Sequence, residues 1–222
     1  MIMKPIDLTS RRRIVIHHTH MLGRRIIDFL HADDIVFFDD CLFSQYNFLK
    51  ENRDFFENMS IDCILGFSSG LYANEDAIQV HAIESHILHD ACNAKIHCLN
   101  DADHERNILQ EMNGFMKISQ IKELLEMPFC HLALHGCCHL KLENENGLLN
   151  KLYCFKRDIK EGLERLKSFD LSTSMYVYPY VYSFHSSDNI LNSLGLHTIV
   201  GSKTLRISIE DLMNGKTPNF SN

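Results

Sequence analysis

The chain has 222 residues, 22 Lys and Arg against 29 Asp and Glu, a formal charge of −7 and a hydrophobic fraction of 45%. That balance excludes a phosphate-binding surface of clustered Lys and Arg, and with it nucleic acid as a partner. The length fits one domain, 1–222, with a sizeable core, and no run of about 18 apolar residues is present to span a membrane as a helix.

Arg13 to His18 reads as a first strand, with Arg11-Arg12-Arg13 as its solvated entry. Ile14-Val15-Ile16 runs straight into His17-His18, so the pattern of a secretory signal is missing. The eight cysteines (41, 63, 92, 98, 130, 137, 138, 154) contain no Cys-x-x-Cys and sit largely in apolar runs. Both features lead us to expect reduced thiols and a cytoplasmic protein. His17, His18 and His20 form a cluster without a nearby carboxylate, which fits loop or substrate-contacting histidines better than a second metal site. Gly23 to Leu30 reads as a short helix.

Ile35 to Phe38 is an apolar strand that stops at two adjacent carboxylates, Asp39 and Asp40. Neighbouring residues at a strand end point to opposite faces, so one Asp can bind a metal while the other accepts a proton. The plainer alternative makes Asp40 the N-cap of a helix starting near Leu42. Leu42 to Asn58 follows as a helix, with Phe48, Leu49, Phe55 and Phe56 on its apolar side. Asp62 to Phe67 is the next strand, closed by Ser68-Ser69-Gly70. A crossover helix of that length implies parallel pairing. Leu71 to Gly114 carries the weakest pattern: Ala77 to Ala91 reads as a helix bearing His81, His86 and His89, and Asp101 to Asn113 is polar.

Ile118 to Met127 is an amphipathic helix capped by Ser119 and stopped by Pro128. It leads into a strand, Phe129 to His135, and then His135-Gly136-Cys137-Cys138-His139. Imidazoles at i and i+4 meet on one side if the backbone after Gly136 curls into a helical turn. Imidazole is the commonest metal ligand, and a catalytic zinc site takes three protein ligands plus water, so the pair is one ligand short. A chance pair of surface histidines is the bland alternative in a chain with 14 of them. Cys137 and Cys138 read as packing residues. Asn150 to Phe169 is a long helix with Leu152, Phe155, Ile159, Leu163 and Leu166 at helical spacing. Ser174 to Tyr178 is a strand ending at Pro179, Asp188 to Leu194 a helix closed by Gly195, and Leu196 to Gly201 the last strand. Leu205 to Asn222 reads as a short helix, Ile209–Met213, and a loose tail.

Asp39-Asp40, His135-x3-His139 and Val177-Tyr178-Pro179-Tyr180 follow one another, each after an apolar run, in an order that resembles the polysaccharide deacetylase (NodB-homology, chitooligosaccharide deacetylase-like) family. The resemblance spans 35–202. It implies an α/β fold, a distorted (β/α) barrel of roughly seven parallel strands. It also implies a divalent ion, Zn2+, on Asp40, His135 and His139, with Asp39 as general base. The backbone N–H of Tyr180 would hold the oxyanion. The substrate class it implies is an N-acetylated sugar or glycan precursor. The chain departs from the family in three places: Cys41 stands where the family has Gly, Val177 where it has Arg, and the last Leu-x-His motif has no match. His197 directly follows Leu196, at the wrong spacing. His185, and after it His18 and His20, are the candidates for the missing proton donor. Two further readings stay open: another amidase or deformylase-like hydrolase acting on a nucleotide-linked sugar, and a non-catalytic glycan binder with a relic metal site.

Overall fold

Apolar alternation in the strands sorts side chains onto two faces of one sheet, and the two faces have different partners. In a computed structural model, the described residues are 13–17, 26–79, 113–140, 142, 147–181, 183–184, 186–199, 205–208, 211, 214–216 and 219–220. The strands are β1 (Ile14–His17), β2 (Ile35–Phe38), β3 (Asp62–Phe67), β4 (Cys130–Leu134), β5 (Met175–Tyr176), β6 (His197–Thr198), β7 (Leu205–Ser208) and β8 (Asn219–Phe220). They form one sheet in the order β6-β5-β4-β3-β2-β1-β7-β8. The seven strands from β6 to β7 pair in parallel, and β8 runs antiparallel at the edge. The sheet curls into an incomplete barrel, as the motifs imply.

Helices α1 (Phe43–Glu51), α2 (Arg53–Asn58), α3 (Ile118–Leu125), α4 (Leu148–Ser168) and α5 (Ser187–Ser193) supply the crossovers. Leu49, Phe56, Ile121, Leu124, Phe155, Ile159 and Leu166 pack on the outward residues Val36, Phe38, Leu65, Leu132 and Leu134 in the larger apolar cluster. The smaller cluster holds only strand and strand-end residues: Ile14, Ile35, Phe37, Ile64, Ala133, Val177 and Ile199. It fills the interior of the curl. Gly66 matters there, because a Cβ on it would lie 2.5 Å from the Phe37 ring.

Several elements differ from the sequence reading. The helix expected over Leu42–Asn58 breaks at Asn52 into α1 and α2. Ser119 does not cap α3: its hydroxyl donates to Glu75, while Gln120 accepts the N–H of Lys117, the cap residue. Asp40 is not the cap of α1 either; Leu42 occupies that position, with its N–H donated to Gln45 Oε1 at 2.9 Å. Arg13 is not a solvated strand entry. It forks onto buried Asp34 with bonds of 3.0 and 2.6 Å, and donates to the Phe29 carbonyl. The tail after Leu205 contributes β7 and β8 rather than only a helix and a loose end. Leu205-Arg206-Ile207-Ser208 does alternate apolar and polar, but over only four residues, and β7 pairs in parallel with β1. The helix expected from Ala77 is not present over 77–79, and its remainder, with His81, His86 and His89, lies outside the described residues. Among the described residues no helix is long and apolar enough to cross a membrane.

Candidate metal centre

The C-terminal end of β2 delivers Asp39 and Asp40, and the C-terminal end of the adjacent-but-one strand β4 delivers His135 and His139. Side chains at such strand ends converge over the mouth of a parallel curl, where its loops collect. Asp39, Asp40, His135 and His139 each offer a donor atom within 4.8 Å of all the others. His135 Nε2 lies 3.0 Å from Asp39 Oδ1 and 3.9 Å from Asp40 Oδ1, and His139 Nε2 lies 3.5 Å from Asp40 Oδ1. Ligands at 2.0–2.2 Å from one tetrahedral ion stand about 3.4 Å apart, so the donor set fits a small divalent cation. Asp40, His135 and His139 are buried, and Asp39 alone of the four is part-exposed.

Each half of the cluster is held by groups that the sequence does not advertise. On the carboxylate side, the backbone turns sharply: Asp40 has φ 75° and Cys41 φ 54°. The left-handed region costs a residue with a Cβ about 1 kcal/mol, which is why a Gly suits the place of Cys41. Buried Gln45 closes this turn. Its amide donates to the Asp39 carbonyl at 2.6 Å and its oxygen takes the Leu42 N–H. Burial, then the charges of Asp40 and Asp39, push the Cys41 thiol well above its ordinary pKa.

On the imidazole side, His135 Nδ1 sits 3.0 Å from the Val177 carbonyl. Donation there fixes the tautomer and leaves Nε2, with its lone pair, facing the carboxylates. Burial lowers the basicity of this ring, Asp39 and Asp40 raise it, and the net shift is upward from the ordinary value. Ser68-Ser69-Gly70, read from sequence as a mere strand closure, grips the histidine loop. Ser68 donates to the His135 carbonyl, and the N–H groups of Ser69 and Gly70 donate to the carbonyls of Gly136 and Cys137. A Cβ on Gly70 would stand 2.7 Å from the Cys137 carbonyl oxygen. From below, the carboxylate of Asp158 on α4 takes the N–H groups of Cys137 and Cys138, each at 3.0 Å.

Tyr180 borders the cluster with its ring 4.6 Å from that of His139, and its backbone is left-handed at φ 54°. The segment before it is anchored through Tyr178, whose hydroxyl donates to Asp188 at 2.6 Å and whose ring stacks on Phe155. Val177, in the place of the resembled family's Arg, is buried among the apolar residues inside the curl and brings no charge to Asp39. His185, His18 and His20 lie outside the described residues, as does the side chain of His17. His197 is exposed and opens β6, at the edge of the sheet two strands from β4.

The fold and site together define a class: a curled parallel sheet with an Asp-Asp and His-x3-His donor set at its strand ends. No protein-family model and no curated protein matches the chain. Solved structures do. IcaB from Ammonifex degensii is similar at a TM-score of 0.54 and 15% identity, covering 90% of this chain and 86% of its own. The deacetylase domain of BpsB from Bordetella bronchiseptica is similar at 0.52 and 12%, covering 87% and 88%. A de-N-acetylase from Aggregatibacter actinomycetemcomitans is similar at 0.51 and 13%, covering 85% and 71%. At these identities the likeness is one of fold, and it is the curled parallel sheet that the motifs imply.

Proposed function

We propose that the protein is a metal-dependent hydrolase that removes the acetyl group from an N-acetylated sugar or glycan. The observation that carries this reading is the convergence of Asp39, Asp40, His135 and His139 at the strand ends of a fold shared with de-N-acetylases. Asp40, His135 and His139 would hold the ion, and zinc suits two imidazoles with one carboxylate. Such an ion lowers the pKa of a water to about 7 and polarises a carbonyl oxygen.

The chain's own groups supply the rest. Asp39, part-exposed at the rim, takes the proton of the attacking water as the new C–O bond forms. The backbone N–H of Tyr180 donates to the oxygen that becomes negative at the tetrahedral carbon. Breaking the C–N bond then needs a proton on the leaving nitrogen, because an amide anion is too basic to depart. His185 is our choice of donor, with Asp39 returning its own proton as the alternative. The products are acetate and a free amine on the sugar.

Elemental analysis of the purified protein, followed by acetate release from a panel of N-acetylated sugars, tests the reading. About one divalent ion per chain and stoichiometric acetate are expected. Metal without acetate across the panel would make the protein a glycan binder with a relic site, and no metal would overturn the proposal.

A further inference from the structure

Asp158 is a buried carboxylate, 6% exposed, in the middle of α4, and no Lys or Arg pairs with it among the described residues. Burial pushes its pKa up to about 6, against the two N–H bonds that pull it down. A buried charge so weakly compensated costs stability, and removing such groups is often neutral or favourable for folding. Its position gives the charge a use. The two N–H groups it accepts, at Cys137 and Cys138, are successive amides lying between His135 and His139, and a pair of successive amides forms a small concave anion site. Here the anion is internal. Gly136 makes room for it: a Cβ there would stand 2.6 Å from Asp158 Oδ2, and its φ of +82° is one that a side chain rarely tolerates. The carboxylate thus fixes the two peptide planes that set the spacing of the two imidazoles.

We propose that Asp158 is a positioning residue for the metal centre, holding the His135–His139 loop in its ligating shape. The inference rests on the metal reading above and adds to it a residue on another element, without contact with the ion. Asn in its place keeps the shape but turns an amide N–H₂ towards one of the two backbone donors. Groups that orient metal ligands typically change affinity by about 10- to 100-fold when lost.

The test measures zinc affinity by chelator competition on folded protein, checked by circular dichroism, for the wild type, Asp158→Asn, Gly136→Ala and Leu166→Ala. Leu166, buried further along α4, is a control for loss of helix packing. Asp158→Asn and Gly136→Ala are expected to weaken zinc by at least about tenfold, and the double variant by little more than the worse single one. Leu166→Ala is expected to lower the melting temperature with zinc affinity within about twofold of wild type. Asp158→Asn with wild-type affinity overturns the proposal, as does Leu166→Ala matching its loss. If Asp158→Asn does not fold, Gly136→Ala against Leu166→Ala decides by the same criterion. A wild type that takes up no zinc overturns the metal reading itself, and this inference falls with it.

Discussion

Two histidines four residues apart bracket β4, both buried, both facing a carboxylate, and they differ in everything else. His131 lies at the start of the strand with Nε2 3.2 Å from Asp62 Oδ1, the residue that opens β3. His135 lies just past its end with Nε2 3.0 Å from Asp39 Oδ1. At the first, the described groups are one imidazole and one part-exposed carboxylate at the N-terminal end of the strands. At the second, a further imidazole and a further carboxylate converge on the same space, and the other ring nitrogen is anchored on Val177. A His–Asp contact is therefore no signature of chemistry. What separates the two ends is the number of donors aimed at one point, and the loops after parallel strands gather them only at the C-terminal end.

The largest expected effect is the one that would break this contrast outright. His135→Ala and His139→Ala should each lose the bound metal and with it acetate release. His131→Ala should keep metal stoichiometry and turnover, at a cost of about 1–3 kcal/mol in stability. Metal content measured beside urea unfolding decides it, and a His131 variant without metal would erase the distinction.

Next is the split within the carboxylate pair. Asp39→Asn should retain the ion and lose about 10²-fold or more in kcat, whereas Asp40→Asn should lose the ion. Metal lost with Asp39 but kept with Asn at position 40 would reverse the two roles.

The pH dependence sharpens the comparison without a mutation. In metal-free protein, a His135 pKa raised by Asp39 and Asp40 contributes stability that is fully present below the unfolded value of 6.5 and lost as pH rises through the folded value. Zinc requires the neutral ring, so its stabilisation grows in the opposite direction. Melting temperature followed from about pH 5 to 8, with zinc and with chelator, should show the two curves diverging as pH rises. Parallel curves would remove His135 from the ligand set.

The smallest effect concerns the turn after the carboxylates. Cys41→Gly relieves about 1 kcal/mol of left-handed strain and gives up a buried thiol worth a similar amount. The net change in stability should stay within about 1 kcal/mol with metal content unchanged. A loss of metal would mean that the Cys41 side chain, and not only its backbone, shapes the Asp39-Asp40 turn.

Sequence alone determined the strands β2, β3 and β4, because each is an apolar run long enough to be buried on both faces. It likewise determined α3 and α4, whose spacing repeats over several turns. The four residues of the centre were legible too, since Asp39-Asp40 and His135-x3-His139 are local patterns at strand ends. Tertiary structure decided the rest. Gln45, Asp158 and Ser68-Ser69-Gly70 are ordinary polar residues until folding sets them against the Asp39 turn and the histidine loop. A charged side chain inside an otherwise apolar helix face, as at Asp158 between Phe155 and Ile159, was the one signal that could have marked one of them. β7 finds its parallel partner in β1, about 190 residues away in the chain. Local pattern carries the residues that converge at the strand ends; only contacts between distant segments carry those packed around them.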